Sequence, residues 1–195
     1  MSLKNHGITK STPSNILFGA GVYYKNLVYE NSAWKGAVLG ATNGGGKLSV
    51  TGEFVDLELD GALVKVKGLT VKAGGTGSME VNLAELTEEN LKAVSLFSSS
   101  KEESTNLTVL KDKANIEEGD YITNLAFVGT TADKSKNLIV IFDNALCTSG
   151  LELEGKNKEG AVITGTFEAY SDDYDGELDT LPIRIYIVPK TAEGK

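Results

Sequence analysis

One histidine, His6, and one cysteine, Cys147, bound the nucleophilic chemistry open to this chain. A serine or cysteine nucleophile needs a base within hydrogen-bond reach, and a Ser-His-Asp triad has only His6 to draw on. That histidine stands in the polar stretch "MSLKNHGITKSTPSN". Cys147 comes after an apolar run in "DNALCTSG", the setting of a small buried residue. Neither a disulfide nor a Cys/His zinc cluster can be built from one of each within these 195 residues. Carboxylates can do acid–base work without histidine. The 27 Asp and Glu residues, however, lie in turns and at alternating strand positions, and no pair stands out as sharing a cleft. The expectation is a protein that is not an enzyme, with no catalytic residue, cofactor or metal.

Two further stretches invite a ligand. "ATNGGGKLSV" (41–50) has the look of a phosphate loop, but that motif needs Gly, four residues, then Gly-Lys-Ser/Thr. Counting back from Lys47, the first glycine position holds Ala41, and Leu48 supplies no hydroxyl for Mg²⁺. Residues 47–61 carry the short apolar alternation of strands, not the helix whose N-terminus would hold an anion. Residues 43–47 are therefore expected to be a flexible connection between strands. The acidic "SDDYDGELD" (171–179) suggests calcium, yet with Gly176 at the sixth position of an EF-hand loop the first and twelfth are Ser171 and Pro182. A solvated acidic turn is the better reading.

The composition suits one β-rich domain. Charged residues at 24% and hydrophobic residues at 41% are ordinary for a globular chain, and 22 glycines against 3 prolines suit many turns joining many strands. A net charge of −8 opposes gripping a nucleic-acid backbone by counterion release. The first 15 residues show no secretory h-region, so export through a cleaved signal is not expected, and no apolar run approaches the roughly 18–20 residues of a membrane span. Without a secretory route the sequon at Asn106 carries little weight, and the leading "MSL" has the form of a cloning remnant.

The elements that must position these residues can be read in order. Residues 1–15 are expected to be a flexible arm, 16–190 a single domain and 191–195 a tail. "NILFGAGVYYKNLVYE" (15–30) reads as extended chain feeding a short strand. In "EFVDLELDGALVKVKG" (53–68), Asp60-Gly61 predicts a two-residue type I′ hairpin. The register then sets Leu59 opposite Ala62, Leu57 opposite Val64 and Val55 opposite Val66. Asp56 faces Lys65, a cross-strand pair contributing about 0.2–1 kcal/mol. Beyond Gly68 the apolar phase slips, predicting a bulge or bend. "KAGGTGS" (72–78) reads as a turn, and "MEVNLAEL" (79–86) alternates with Met79, Val81 and Leu83 on one side.

One helix of about ten residues is expected near 88–97, with Thr87 as N-cap, Glu88 and Glu89 in its first turn and Leu86–Leu91 as a hydrophobic staple. The serine-rich stretch after it reads as an exposed loop. Strand-length runs then occupy 121–129, 137–146, 150–155, 161–170 and 181–189. In 161–170, Ala161, Ile163, Gly165, Phe167 and Ala169 share one face, with Thr164, Thr166 and Glu168 on the other.

This order, with the stretches "NILFGAGVYYKN" (15–26), "LGATNGGGKLSV" (39–50), "LDGALVKVKGL" (59–69) and "DNALCTSGLELEGKNKEGAVITGTFEAY" (143–170), resembles the major tail tube proteins of long-tailed bacteriophages and of prophages in Gram-positive bacteria. The resemblance covers most of the chain. It implies a mainly β fold, an antiparallel sandwich or partly open barrel with one flanking helix. It also implies a virion structural protein, made in the bacterial host cytoplasm, that assembles with copies of itself into hexameric rings. Stacked rings would form the tube through which genome DNA is ejected, passing without specific binding. A tape-measure protein and a tail terminator are the implied partners, with no membrane. The loop and arm that would reach a neighbouring ring are assigned to 36–50, centred on Asn43, Gly44, Gly45, Gly46 and Lys47, and to residues 1–15.

The alternative is a β-sandwich binding module of the adhesin or carbohydrate-binding type, with Trp34, Tyr23, Tyr24 and Tyr29 as candidate contact residues, although aromatics near strand ends more often pack. A third reading is another tube or baseplate component of a contractile system.

Overall fold

The computed structural model describes residues 6–102, 107–155, 157–158, 160–174, 176 and 178–190. Period-two alternation sets its first layer. In β4 (Thr70–Leu83), Met79, Val81 and Leu83 are fully buried, with Glu80 and Asn82 between them only half so. In β10 (Val162–Glu168), Ile163, Gly165 and Phe167 are buried and Thr164, Thr166 and Glu168 alternate with them. The two strands pair antiparallel with Ile163 opposite Leu83 and Phe167 opposite Met79, so their apolar sets form one continuous face. β3 (Thr42–Asp56) joins the far side of β4, and the short β9 (Glu152–Glu154) joins β10.

The second layer runs in the order β2 (Ala33–Val38), β1 (Leu17–Glu30), β7 (Ile122–Thr131), β8 (Lys136–Cys147), β11 (Ile183–Pro189), every neighbour antiparallel. β8 is apolar on both faces. Val140 and Phe142 enter the main core beside Met79, Val81, Leu83, Ile163 and Phe167. Ile139 and Ile141 pack on the outer face with Leu27 and Ala126, beneath Tyr24, Trp34 and Val188. Each large apolar side chain so buried stabilises the fold by about 1.5–3 kcal/mol. The end of β8 also pairs with β10, Cys147 opposite Phe167, and this links the layers. The fold is mainly β and antiparallel, a sandwich that does not close into a barrel, with one short helix.

That helix, α1 (Glu88–Ala93), begins as expected: the Thr87 hydroxyl accepts the Asn90 N–H at 3.1 Å. It is six residues long, not ten. Buried Val94 already caps it, and Phe97 opens β5 (Phe97–Glu102), which pairs with β6 (Leu107–Asp112). The serine-rich stretch is thus a hairpin strand in its first half, where a loop was expected. Leu86 is exposed and does not bury itself as a staple.

Three other expectations are corrected. The chain from Leu17 to Glu30 is one long strand, not a short one. Residues 72–78 lie inside β4, not in a turn. Their glycines serve close approach: a Cβ on Gly77 would overlap the Ile183 side chain, and one on Gly75 would come within 2.7 Å of the Thr51 carbonyl on β3. Part of the N-terminal arm is docked. Thr12–Asn15 form a 3-10 turn, the Pro13 and Ile16 carbonyls accept the N–H groups of Asp133 and Ala132, and the Lys136 ammonium donates to Asn15. Residues 1–5 and the tail 191–195 lie outside the described residues, as do Asn106, Asp175 and Glu177.

Candidate functional site

The surface most in need of explanation is the far half of the β3–β4 hairpin. Its ladder continues through Val55 opposite Val71 to Asp56 opposite Thr70. Over this stretch the apolar side chains are not buried: Val50, Val55 and Val71 are 50%, 45% and 42% exposed and Phe54 is 67% exposed. Residues 57–69 then form an irregular tip. Within it Leu57, Leu59 and Val66 are exposed, Val64 is 77% exposed and Leu63 96%. Monomeric soluble proteins rarely leave contiguous apolar surface of this kind uncovered, and where it occurs it marks an interaction site.

The tip is ordered by local bonds. The Leu57 N–H donates to the Leu69 carbonyl at 2.8 Å, and turns close from Ala62 N–H to Leu59 carbonyl and from Leu69 N–H to Val66 carbonyl, each at 3.1 Å. The Lys65 ammonium reaches the Asp56 carboxylate at 2.5 Å, and Thr70 donates to the same carboxylate at 2.5 Å. Hydrogen bonds from Lys65 and then Thr70 hold the Asp56 carboxyl below its ordinary value.

These bonds correct the predicted hairpin. Asp60 and Gly61 do sit at a turn, but only Gly61 has positive φ, +86°, so it is not type I′. Leu57 meets Leu69 and not Val64, and Val55 meets Val71 and not Val66. Pairing resumes only at Thr70, because a wider connection lets β3 match the glycine-containing start of β4 along its whole length. Asp56 and Lys65 still meet, though across the connection and not across a ladder.

The candidate inter-ring loop is corrected as well. Asn43, Gly44, Gly45, Gly46 and Lys47 lie within β3. The register passes from Thr42 opposite Leu83 to Gly46 opposite Val81, so Asn43, Gly44 and Gly45 together face the single residue Asn82. Gly44 and Gly45 have φ of +89° and +75°, and the Asn82 amide donates to the Gly45 carbonyl at 3.1 Å. Gly46 is required by contact: a Cβ there would overlap the Tyr23 hydroxyl and come within 2.5 Å of the Glu80 carbonyl. The glycine run builds a bulge beside a crowded strand crossing.

Four strands at the outer borders of the two layers have a single strand neighbour among the described residues. β2 has only β1 and β11 only β8 in one layer, and β3 has only β4 and the short β9 only β10 in the other. β11 presents Ile185 and Ile187, the latter 71% exposed. Between β1 and β3 an open apolar cleft of about 230 Å³ is lined by Leu17, Tyr23, Leu48, Phe127 and Leu138, among others. Sequence reasoning did not find β2, the β11 border or the cleft as surfaces. The alternation of "IRIYIV" (183–188) was the available signal, because both of its faces are rich in apolar or aromatic residues.

The candidate nucleophile and base have local partners. The Cys147 thiol is 3.6 Å from the Ser149 hydroxyl and buried, and His6 Nδ1 accepts the Ile8 N–H at 3.2 Å. Of the candidate contact aromatics, Tyr29 and Trp34 meet at 5.1 Å between ring centres, with Tyr186 5.3 Å from Trp34. Tyr23 is instead in the core, where burial and then the nearby Glu80 charge push its hydroxyl pKa up. Comparison with protein-family models and with curated proteins found no match.

Proposed function

We propose that this chain is a tube-forming structural protein, the subunit of a phage tail tube that assembles with copies of itself into stacked, hexameric rings through which genome DNA leaves the virion. One observation carries the reading. A well-packed sandwich leaves β2, β3 and β11 each with one open border among the described residues and extends an ordered hairpin arm whose apolar side chains stay exposed in the subunit. An exposed border is a template for another strand, and natural proteins blunt or cover it unless it is used. Head-to-tail pairing around a ring covers two borders per subunit and closes. The same kind of heterologous contact between rings propagates without end, and the arm spanning residues 50–71 is the part long enough to make it.

The charge of −8 supports a conduit in place of a binding surface, since an acidic wall does not gather phosphates by counterion release. By resemblance, a tape-measure protein and a terminator fix the length. The binding-module reading draws on the Tyr29–Trp34–Tyr186 cluster, but these rings pack on one another at 53° and 68° and offer no shared flat platform.

Negative-stain microscopy of the concentrated protein tests the proposal: hollow tubes of stacked six-fold rings are expected. Dispersed single subunits at every concentration, together with a ligand on a glycan array, would replace it with the binding module.

A further inference from the structure

We propose that Asn43 is a site of spontaneous deamidation in the folded protein, through the backbone nitrogen of Gly44. Asn43-Gly44 is the only Asn-Gly step in the chain, and glycine leaves the attacking nitrogen unhindered by a side chain. The reaction forms a bond between the Gly44 nitrogen and the Asn43 side-chain carbonyl carbon. The Gly44 N–H proton is lost and ammonia leaves, which closes a succinimide. Solvent water then opens the ring at either carbonyl, giving aspartate or isoaspartate. No oxidant or reductant enters.

An Asn-Gly step held in a regular ladder is protected, because the backbone must leave its strand geometry to close the ring. Here the fold has already relaxed that geometry. Asn43, Gly44 and Gly45 share one opposing residue, Asn82, so the step stands in the bulge and not in register. Gly44 is at φ +89°, no hydrogen bond from the described residues restrains the Asn43 side chain, and both residues are exposed to water. A Cβ placed on Gly44 would meet only the Asn82 amide, at 4.0 Å, so the step is not crowded by its neighbours. The product adds a negative charge to a border strand, and the isoaspartate form adds a methylene to its backbone. The inference concerns the single subunit and does not depend on the tube reading.

The 195-residue chain is incubated at mildly alkaline pH, folded and in denaturant, and the peptide containing Asn43 is followed by mass spectrometry, with isoaspartate read by enzymatic methylation. Asn43 is expected to react faster than every other asparagine. Its folded rate should fall within about 3-fold of the denatured rate, as for a segment that needs no opening free energy. A folded rate slowed by roughly 100-fold or more, the mark of a segment that must first open, overturns the proposal. Gly44→Ala serves as the control for mechanism, since it should slow the reaction in denaturant too. Reaction at Asn43 that is unaffected by this change in denaturant would equally overturn the route through the Gly44 nitrogen.

Discussion

The two halves of the β3–β4 hairpin are built from the same kind of alternating sequence and meet opposite fates. Near Leu83, β4 faces β10 on one side and the second layer across the core, and Met79, Val81 and Leu83 are fully buried. Near Thr70 the same two strands keep their ladder while Phe54, Val55 and Val71 stand in solvent. Hydrogen bonding is therefore not what separates the regions; the presence of a second layer is. Strand pairing holds the arm together without hiding its side chains, and hiding them is what stabilises a sandwich. The arm is a finished local structure with an unfinished tertiary one.

The comparison predicts opposite responses to substitution. Phe142→Ala removes a fully buried ring from the main core and should destabilise the subunit by about 3–5 kcal/mol in urea unfolding. Leu63→Ser at the tip should change the same midpoint by less than about 0.5 kcal/mol, as for a surface change, while reducing tube formation. A comparable loss of stability from both would erase the distinction between the regions. Gly77→Val sharpens it from the packing side: the added side chain meets Ile183 and Phe142, and overpacking should cost about 1–3 kcal/mol. Thr87→Ala deletes the helix cap and should cost about 1 kcal/mol by the same measurement.

The smallest effect concerns the arm's own latch. The Asp56 carboxyl is held below its ordinary value, so the stabilisation it gives is present above the unfolded value of about 3.9 and is lost as pH falls through the lowered one. Local loosening of residues 56–70 is expected only in acid, seen as changed NMR shifts of Lys65 and Thr70 with the core resonances still in place. Asp56→Asn should give the loosened spectrum at neutral pH.

The same division governs how much of the fold is legible in the residues. Where two layers meet, alternation is enough: 79–83 and 161–170 show their buried faces directly, and the strands expected at 137–146 and 181–189 lie near their observed limits. Where glycine is present, local reasoning fails. Residues 43–47 and 72–78 read as turns because glycine permits turns, but here it serves a bulge and the close passage of Tyr23 and Ile183, which are distant in sequence. Asp60-Gly61 supplies a turn but cannot reveal that β3 has a better partner in Thr70–Leu83. β2 and the β5–β6 hairpin carry too few alternating apolar residues to announce themselves. The arm's residues stand out as a motif, and their lack of cover becomes visible only once the layers are placed.

On the proposed reading, copies of this chain cover the borders and the arm. Amide hydrogen exchange, measured on dilute subunits and on the concentrated, assembled protein, tests it directly. The prediction is selective new protection along β2, β11 and residues 50–71, with the exchange of β8 and β10 unchanged. Assembly that leaves those three segments exchanging as they do in the isolated subunit would contradict it.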